Sequence, residues 1–413
     1  MGCPSYFQAI SRRQALKTGV QAGLTGLLPW LMSGSALAQV KLGTSKSQTS
    51  DHTLVVLFLR GGADGLNMVV PYQESRYYDA RPSIAIAAPQ DTRKGASARS
   101  VALNEQFALH PALAPLKKWY EQEKLAIAHA VGSGDMSRSH FEAMSAMERG
   151  VSHGHSSEPS GWLARYLVQT ASELDTPLRA VAWAETVPDS LRGAPSPTIV
   201  QSISDFLLSA DEGFLRYLKS AYRDSEDLVA KSGRDTLTAL EKIEKLDAKN
   251  YQPSHGAVYP ATELGRGFRE VASLLKSDLG LEIASLEETG WDNHAAQGAD
   301  TGIHANQLKK VAEALDAFMT DLGELSDKVT LIVMTEFGRR LEENASLGTD
   351  HGRASVMLAL GAVPGGKIYG KWPGLGADQV DKVGDLKPVN DYRTMLNYFL
   401  ESKMPVLPSI WKA

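Results

Sequence analysis

Short runs of consecutive apolar residues recur along this chain and predict strands that are buried on both faces, as in a parallel sheet. The clearest runs are residues 54–59, 124–131, 328–335 and 355–361, and weaker ones are residues 178–184 and 197–201. One more strand opens the stretch 281–294, whose last five residues read GWDNH. Because helical patterns lie between these runs, the sequence predicts an α/β domain.

Helical patterns fill most of the segments between the runs. They cover residues 142–149, 161–170, 261–279, 304–322 and 391–401. The segment 205–260 differs, because its two helical stretches, 207–222 and 224–249, are highly charged, with opposite signs at helical spacing. We therefore predict that residues 205–260 form a helical cap inserted into the α/β domain, and that the cap covers the carboxyl ends of the strands.

The first 38 residues have the pattern of a targeting signal and not of a folded element. Residues 11–17 read SRRQALK, close to the twin-arginine export consensus, and the apolar run 18–32 is too short and weak for a spanning helix. We predict a signal peptide over 1–38, a linker over 39–52 and the α/β domain over 53–413. A short membrane anchor is the alternative interpretation of the first segment. The twin-arginine machinery would export the protein to the periplasm or the medium.

The charge balance and the cysteine content exclude several classes of partner and of metal or catalytic site. The chain has 43 basic and 48 acidic residues; the predicted signal holds three of the basic residues and no acidic one, so the rest has a net charge of −8. That balance argues against a partner such as nucleic acid or an anionic membrane, which would need a basic surface. The only cysteine is Cys3, within the predicted signal, so a mature protein would have no thiol for a disulfide, a metal or a nucleophile. A metal site must then consist of His, Asp and Glu.

Side chains of the types that bind divalent metals stand at or beside the ends of four predicted strands. They are Asp64, Asp292, His294, Glu336, Asp350 and His351. Because ligands of open α/β sheets bind at the carboxyl ends of strands, we predict that these residues form one metal site at one sheet edge. Asp64 could instead only cap the next turn or helix. Asp292 and His294 would point to opposite faces of a regular strand, so both can be ligands only if a turn or bulge begins at Gly290.

A second cluster of candidate residues follows the strand at 124–131. A Gly/Ser turn leads to Ser137, Arg138, Ser139 and His140 at the start of a predicted helix. The N–H groups and the dipole of a helix N-terminus favour a phosphate or sulfate there, and Arg138 could bind the same anion through two hydrogen bonds. Ser137 or Ser139 would be the nucleophile, activated by the metal or by His140. The alternative is that both serines only cap the helix.

The combination of these motifs resembles an exported family of unknown function within the alkaline phosphatase and sulfatase superfamily. The motifs are LRGGADGLN at 59–67, SRSHF at 137–141, GWDNH at 290–294, EFGR at 336–339 and TDHG at 349–352. The resemblance covers essentially all of the chain after the predicted signal. It implies a three-layer α/β sandwich with a mostly parallel central sheet.

The resemblance also assigns roles to single residues. It implies a nucleophile at Ser137 or Ser139 and metal ligands at Asp64, Asp292, His294, Asp350 and His351. This chain departs from the superfamily at two positions, since one residue rather than three separates Asp292 from His294, and Phe337 stands where the superfamily has an imidazole. These departures favour one metal, or a different pair of metals, over a two-zinc site.

We therefore expect an exported, metal-dependent hydrolase that acts on phosphate or sulfate esters. An Asp/His/Glu ligand set suits Zn, Mn or Fe, and an oxygen-rich subset would suit Ca or Mg. The metal would activate the nucleophile, while Arg138 and the helix N-terminus would hold the oxygens of the anionic ester. The alternative is a non-catalytic exported protein that keeps the fold for binding or for cell-envelope assembly. Phe337 and the uncertain choice between two serines favour that alternative.

Overall fold

The apolar runs form strands and the amphipathic patterns form helices in the computed structural model, which describes residues 52–92, 98–153, 157–171, 176–203, 212–225, 227–244, 246 and 250–411. The strands are β1 (Thr53–Leu59), β2 (Val69–Val70), β3 (Val101–Ala102), β4 (Ala108–Leu109), β5 (Leu125–Gly132), β6 (Ala180–Trp183), β7 (Thr198–Val200), β8 (Ile283–Glu288), β9 (Val329–Met334), β10 (Arg339–Glu343), β11 (Thr349–His351), β12 (Ser355–Gly361), β13 (Lys367–Tyr369) and β14 (Asn390–Asp391). The α-helices are α1 (Gly65–Met68), α2 (Ser75–Ala80), α3 (Lys117–Glu121), α4 (His140–Arg149), α5 (Trp162–Gln169), α6 (Glu212–Arg223), α7 (Leu228–Glu244), α8 (Glu263–Lys276), α9 (Ile303–Leu322), α10 (Tyr392–Leu400) and α11 (Leu407–Ile410).

The described residues all belong to one unit, Ser47–Ala413. The predicted signal peptide over 1–38 and nearly all of the predicted linker over 39–52 lie outside them. Within the described ranges, no helix has both the length and the apolar character that a membrane span requires.

Nine of the described strands form one central sheet, in the order β13–β5–β12–β9–β1–β8–β6–β7, with β14 also paired to β5. β1 runs parallel to its neighbours β8 and β9, and β6 runs parallel to β7 and β8. β12 is antiparallel to both β5 and β9. The expected mostly parallel sheet is therefore confirmed.

Helices cover both faces of this sheet because both faces of its strands are apolar. Val55 of β1 packs in one core with Phe268 of α8 and Phe318 of α9. Its neighbour Leu54 points to the opposite core, with Trp162 of α5 and with α10. Burying an apolar side chain of this size contributes about 1.5–3 kcal/mol, so each layer is held to the sheet by many such contributions. The three-layer arrangement agrees with the expected fold class.

The strand directions bring several loops to one edge of the sheet. β1, β5, β8 and β9 end at this edge, and β12, which runs the other way, begins there. The hairpin of β10 and β11 directly precedes β12 and so reaches the same edge. The loops that carry the predicted site residues are therefore neighbours.

The predicted helical cap contains α6 and α7, which pack against each other. Lys242 of α7 donates to Thr176 Oγ1 over 2.7 Å, and Ser196 donates a hydrogen bond to Asp235 of α7. Thr176 and Ser196 precede β6 and β7, so these contacts place α7 near the amino ends of the strands. Both hydrogen bonds lie at the edge opposite to the expected one, and a cap over the carboxyl ends stays a prediction.

Candidate metal centre

Three imidazole rings converge at the edge where the strands end. The Nε2 atom of His351 lies 3.0 Å from Nε2 of His140 and 2.8 Å from Nε2 of His294. Asp292 Oδ1 lies 3.0 Å from Nε2 of both His294 and His351 and 3.4 Å from Nε2 of His140. The four side chains are between 21% and 46% exposed, so solvent can reach the cluster.

The opposite nitrogen of each ring is held by an oxygen acceptor. Nδ1 of His140 lies 2.7 Å from Glu336 Oε1, Nδ1 of His294 lies 3.3 Å from Asp350 Oδ1, and Nδ1 of His351 lies 2.9 Å from the carbonyl oxygen of Arg138. An acceptor at Nδ1 favours the tautomer with its proton there, which directs the lone pair of Nε2 toward a metal. Carboxylate or carbonyl partners of this kind are a regular feature of histidine metal ligands.

The arrangement suits a divalent metal for an electrostatic reason. Three Nε2 lone pairs and a carboxylate oxygen in mutual contact repel one another unless a cation lies between them. The separations among His140, Asp292 and His351, 3.0–3.4 Å, are close to the distance of about 3.3 Å between two ligand atoms of a tetrahedral metal whose metal–nitrogen bonds are about 2.0–2.1 Å. His140, Asp292 and His351 form a group that could hold a metal ion, and His294 lies beside this group, with its Nε2 2.8 Å from Nε2 of His351.

Arg339 ties together the loops that carry the cluster. Its buried guanidinium donates from Nε to the carbonyl oxygen of Gly62 over 2.6 Å and from Nη1 to that of Thr349 over 2.9 Å. Nη2 donates to Asp292 Oδ1 over 2.7 Å. Burial by itself raises the pKa of Asp292, but the hydrogen bond and the positive charge of Arg339 outweigh it and lower the pKa to about 2. Asp292 is therefore an anion at neutral pH.

A turn brings Asp292 and His294 to the same side. β8 ends at Glu288, Gly290 has a φ of +92°, and the N–H of His294 donates back to the carbonyl oxygen of Asp292 over 3.1 Å. The prediction that a turn beginning at Gly290 lets both side chains converge is confirmed. Gly61 approaches this turn so closely, with a φ of +122°, that an added Cβ would lie 2.7 Å from the backbone nitrogen of Asp292. Only glycine suits that position.

Asp64, predicted from the sequence as a metal ligand, lies instead in a buried ion pair. Arg81 donates from Nη1 to Oδ2 over 2.6 Å and from Nη2 to Oδ1 over 3.1 Å, and Gln297 donates to Oδ2 over 2.7 Å. Burial by itself raises the pKa of Asp64, but Arg81 outweighs it and lowers the pKa. Both oxygens are engaged, so the structure places Asp64 outside the cluster. The side chain makes no cap hydrogen bond to α1 either, so the alternative that Asp64 caps this helix is not supported.

Glu336 and Asp350, also predicted as ligands, lie behind two of the histidines. Their oxygens contact Nδ1 of His140 and of His294, on the side of each ring away from the cluster. The hydrogen bond that His140 donates to Glu336 raises the pKa of His140 against the effect of burial. Asn344 donates to Asp350 Oδ1 over 3.0 Å and fixes that carboxylate. The two carboxylates therefore orient two of the histidines and do not themselves converge with them.

The four residues of the predicted anion site differ in their contacts. The guanidinium of Arg138 donates to Asp385, from Nε over 3.0 Å and also from Nη2. Ser137 Oγ accepts the N–H of Ser139 over 3.1 Å, within the turn that precedes α4. Ser139 occupies the N-cap position of α4, but its side chain makes no cap hydrogen bond. His140, predicted to act as a base, supplies one of the converging imidazoles. The capping alternative is therefore not supported for Ser139.

Some residues of the site were not recognised from the sequence. Phe337 packs against the rings of His140 and His351, with centroids 4.8 and 5.0 Å apart. The Phe337 ring thus packs against two histidines that come from two other elements, α4 and β11. Arg339 lies in the EFGR motif, which the sequence analysis recognised, but its hydrogen bond to Asp292 was not predicted. Asp385 has no local motif, so nothing in the sequence signals its contact with the site.

A cleft of about 770 Å³ shares elements with the cluster. It is lined by the ends of β6 and β8, by α8, and by α4, whose Phe141 is 84% exposed. Its charged lining residues are Glu148, Glu185, Asp189, Glu263, Glu287, Glu288, Arg60 and Arg266. Arg60 is held by Glu148 at 3.2 Å and by Glu287 at 2.5 Å. The cleft is therefore acidic, with an apolar side chain at the start of α4.

Comparisons with known proteins give one family and distant structural likenesses. The family model described as "Protein of unknown function (DUF1501)" matches residues 51–397. The alkaline phosphatase from the Antarctic bacterium TAB5 is 10% identical, with 89% of this chain and 100% of that chain covered and a TM-score of 0.32. The phosphonate monoester hydrolase of Agrobacterium radiobacter is 9% identical, with 77% and 70% covered and a TM-score of 0.29. Comparison with curated proteins finds no match. Similarity this low carries no argument about the reaction.

Proposed function

The chain belongs to the family described as "Protein of unknown function (DUF1501)", and we propose that it is an exported, metal-dependent hydrolase of phosphate or sulfate esters. The observation that carries this proposal is the convergence of three Nε2 atoms, from His140, His294 and His351, on Asp292 Oδ1. Each ring is oriented by an oxygen acceptor at Nδ1. Export is supported by the twin-arginine sequence in residues 11–17.

The donor set narrows the choice of metal. Three imidazole nitrogens and one carboxylate oxygen suit Zn, Fe or Mn, whereas Mg and Ca prefer sites made of oxygen ligands. An ion of this kind, when bound, would supply a Lewis acid and lower the pKa of an attacking hydroxyl group. We therefore propose one transition-metal ion per chain, with zinc as the first candidate.

The chain's own groups would bind and orient the substrate. The N-terminus of α4 starts at His140, beside the cluster, and the first turn of a helix offers N–H groups that have no acceptor within the helix. Such groups support binding of a phosphate or sulfate oxygen. Ser139 precedes them, and its hydroxyl group is not used as a cap. Arg339 keeps Asp292 ionised and in place.

Because the cleft is acidic, it favours a substrate whose leaving group is neutral or carries an amine. We expect protein recovered from the exported fraction and loaded with Zn²⁺ to hydrolyse aryl phosphates or sulfates. An aminoalkyl-substituted ester should have a kcat/KM about tenfold above that of its carboxylate-substituted analogue, equivalent to ~1.4 kcal/mol. The variant Glu263→Gln, which removes one exposed lining charge, should reduce this preference. Failure of the metal-loaded protein to turn over any ester in the panel would contradict the proposed function.

Ser139→Ala tests which group attacks. We expect turnover of the best ester to fall by roughly a thousandfold or more, because removing a nucleophile has effects of this size or larger. Zinc affinity should stay at the wild-type value, since Ser139 is not among the converging groups. The matched control is Ser137→Ala, whose hydroxyl group accepts a backbone hydrogen bond and whose loss should leave turnover near wild type. Full turnover in the Ser137→Ala/Ser139→Ala double variant would show that neither serine is the nucleophile.

One observation favours the alternative of a metal-binding protein without catalysis. The guanidinium groups of Arg138, Arg339 and Arg60 are each bound by a carboxylate. An incoming anion would have to compete with those carboxylates for its arginine contacts. Zinc binding without turnover on any phosphate or sulfate ester would support this alternative.

A further inference from the structure

We propose that Asp385 is a positioning residue of the metal site, acting through Arg138 on the ligand His351. The inference rests on the metal site proposed above. Asp385 lies in a loop near the end of the chain whose sequence carries no recognisable motif. In this proposal Arg138 holds a metal ligand in place and does not bind the substrate anion.

The first contact on the path from Asp385 to His351 is an ion pair between a buried carboxylate and a partly exposed arginine. The side chain of Asp385 is fully buried, and its Oδ2 accepts hydrogen bonds from Nε and Nη2 of Arg138. Its Oδ1 lies 3.6 Å from Nε of Arg340. A buried carboxylate beside two guanidinium groups has little freedom to move, because leaving either one costs electrostatic energy. The side chain of Arg138 is therefore held at a fixed place.

The second contact is made by the backbone of the same arginine. Arg138 has a φ of +45°, a left-handed conformation that is uncommon for residues other than glycine. In this conformation its carbonyl oxygen accepts the hydrogen bond from Nδ1 of His351 over 2.9 Å. Such a conformation persists when the surroundings hold it. The ion pair with Asp385 does so, and it thereby fixes the acceptor that sets the orientation of the His351 ring.

The consequence for metal binding follows from the position of His351. Its Nε2 contacts the other two Nε2 atoms and Asp292 Oδ1, so a rotation of this ring disturbs a contact with each of the other three groups. Loss of a group that orients a metal ligand typically weakens metal binding by roughly 10- to 100-fold. If Arg138 instead served to bind the substrate anion, removal of Asp385 would release the guanidinium and lower KM without weakening the metal.

The test compares zinc affinities of folded variants by competition with a chromogenic chelator. We expect Asp385→Asn, which keeps the shape of the side chain, to bind Zn²⁺ roughly 10- to 100-fold more weakly than the wild type. The cobalt-substituted variant should also show a shifted visible spectrum, which a purely structural loss would not produce in a folded protein. The matched control is Asp378→Asn, which removes an exposed carboxylate from the same part of the chain and should leave the affinity unchanged.

A second variant separates this mechanism from a general loss of stability. Arg138→Ala should weaken zinc binding to a similar extent, and the double variant Arg138→Ala/Asp385→Asn should be no weaker than either single one, since both interrupt the same path. Arg138→Ala also carries the test if Asp385→Asn does not fold. Wild-type zinc affinity in Asp385→Asn, or additive losses in the double variant, would overturn the inference. Absence of zinc binding by the wild type would instead overturn the proposed function.

Discussion

His351→Ala should abolish metal binding and ester hydrolysis together. His351 is the central member of the cluster, because its Nε2 lies within 3.0 Å of Nε2 of His140, Nε2 of His294 and Oδ1 of Asp292. Its removal takes away a ligand and not merely a group that orients one. We therefore expect zinc affinity to fall by more than the roughly 100-fold upper effect of losing an orienting group.

The measurement is a chelator competition for Zn²⁺, followed by kcat/KM on the best ester at saturating metal. The matched control is His255→Ala, which removes an exposed histidine outside the converging group and should change neither quantity. A His351→Ala variant that binds one zinc ion as tightly as the wild type would show that the metal, if present, is held elsewhere.

Arg81→Ala should destabilise the fold by about 3–5 kcal/mol, because it leaves Asp64 charged and buried without its partner. The guanidinium is fully buried; besides Asp64, it donates to Asn67 Oδ1 over 2.7 Å and to the carbonyl oxygen of Leu341 over 2.8 Å. Equilibrium unfolding in urea measures the effect. The pKa of Asp64 is lowered in the folded protein, so the stabilisation is fully present above about pH 4 and is lost as the pH falls further.

A second ion pair offers the control for this experiment. Arg76 and Glu342 lie 2.8 Å apart but are 48% and 64% exposed, so Arg76→Ala should change the free energy of unfolding by only about 0–1 kcal/mol.

A separate variant tests whether Asp64 binds metal. Asp64→Asn should keep wild-type zinc affinity in the folded state, and a folded Asp64→Asn protein that has lost zinc would restore the assignment made from the sequence.

The long strands were predictable because continuous apolar runs have few other uses in an α/β chain. The run at 328–335 became β9, and the run at 355–361 became β12 with the same bounds. The direction of β12 was not predictable, since a strand buried on both faces has the same pattern whichever way it runs. Short strands such as β2 and β14 have two residues each, too few for any periodicity.

The residues of the cluster were predictable in type but not in role. Asp292, His294 and His351 were recognised as candidate ligands, and the need for a turn at Gly290 followed from the two-residue period of a strand. His140 was assigned to another function because it lies before a helix, beside candidate nucleophiles. Its place among the imidazoles depends on the neighbouring positions of β5 and β12 in the sheet, which the sequence does not state.

The carboxylates show where reasoning from strand ends stops. Asp64, Glu336 and Asp292 all follow apolar strands, yet they contact a guanidinium, an imidazole Nδ1 and the imidazole Nε2 atoms respectively. A carboxylate has the same chemistry in each place, and only its tertiary neighbours decide which role it takes. Arg81, the partner that removes Asp64 from the cluster, lies 17 residues later in the chain, and no pattern links the two.

Anomalous diffraction at the zinc edge, from crystals of the zinc-loaded protein, tests the metal centre most directly. We expect one peak within about 2.0–2.2 Å of Nε2 of His140, His294 and His351 and of Oδ1 of Asp292. Absence of a peak among these four atoms, or a peak bound by Asp64 in its place, would contradict the metal centre and the function proposed from it.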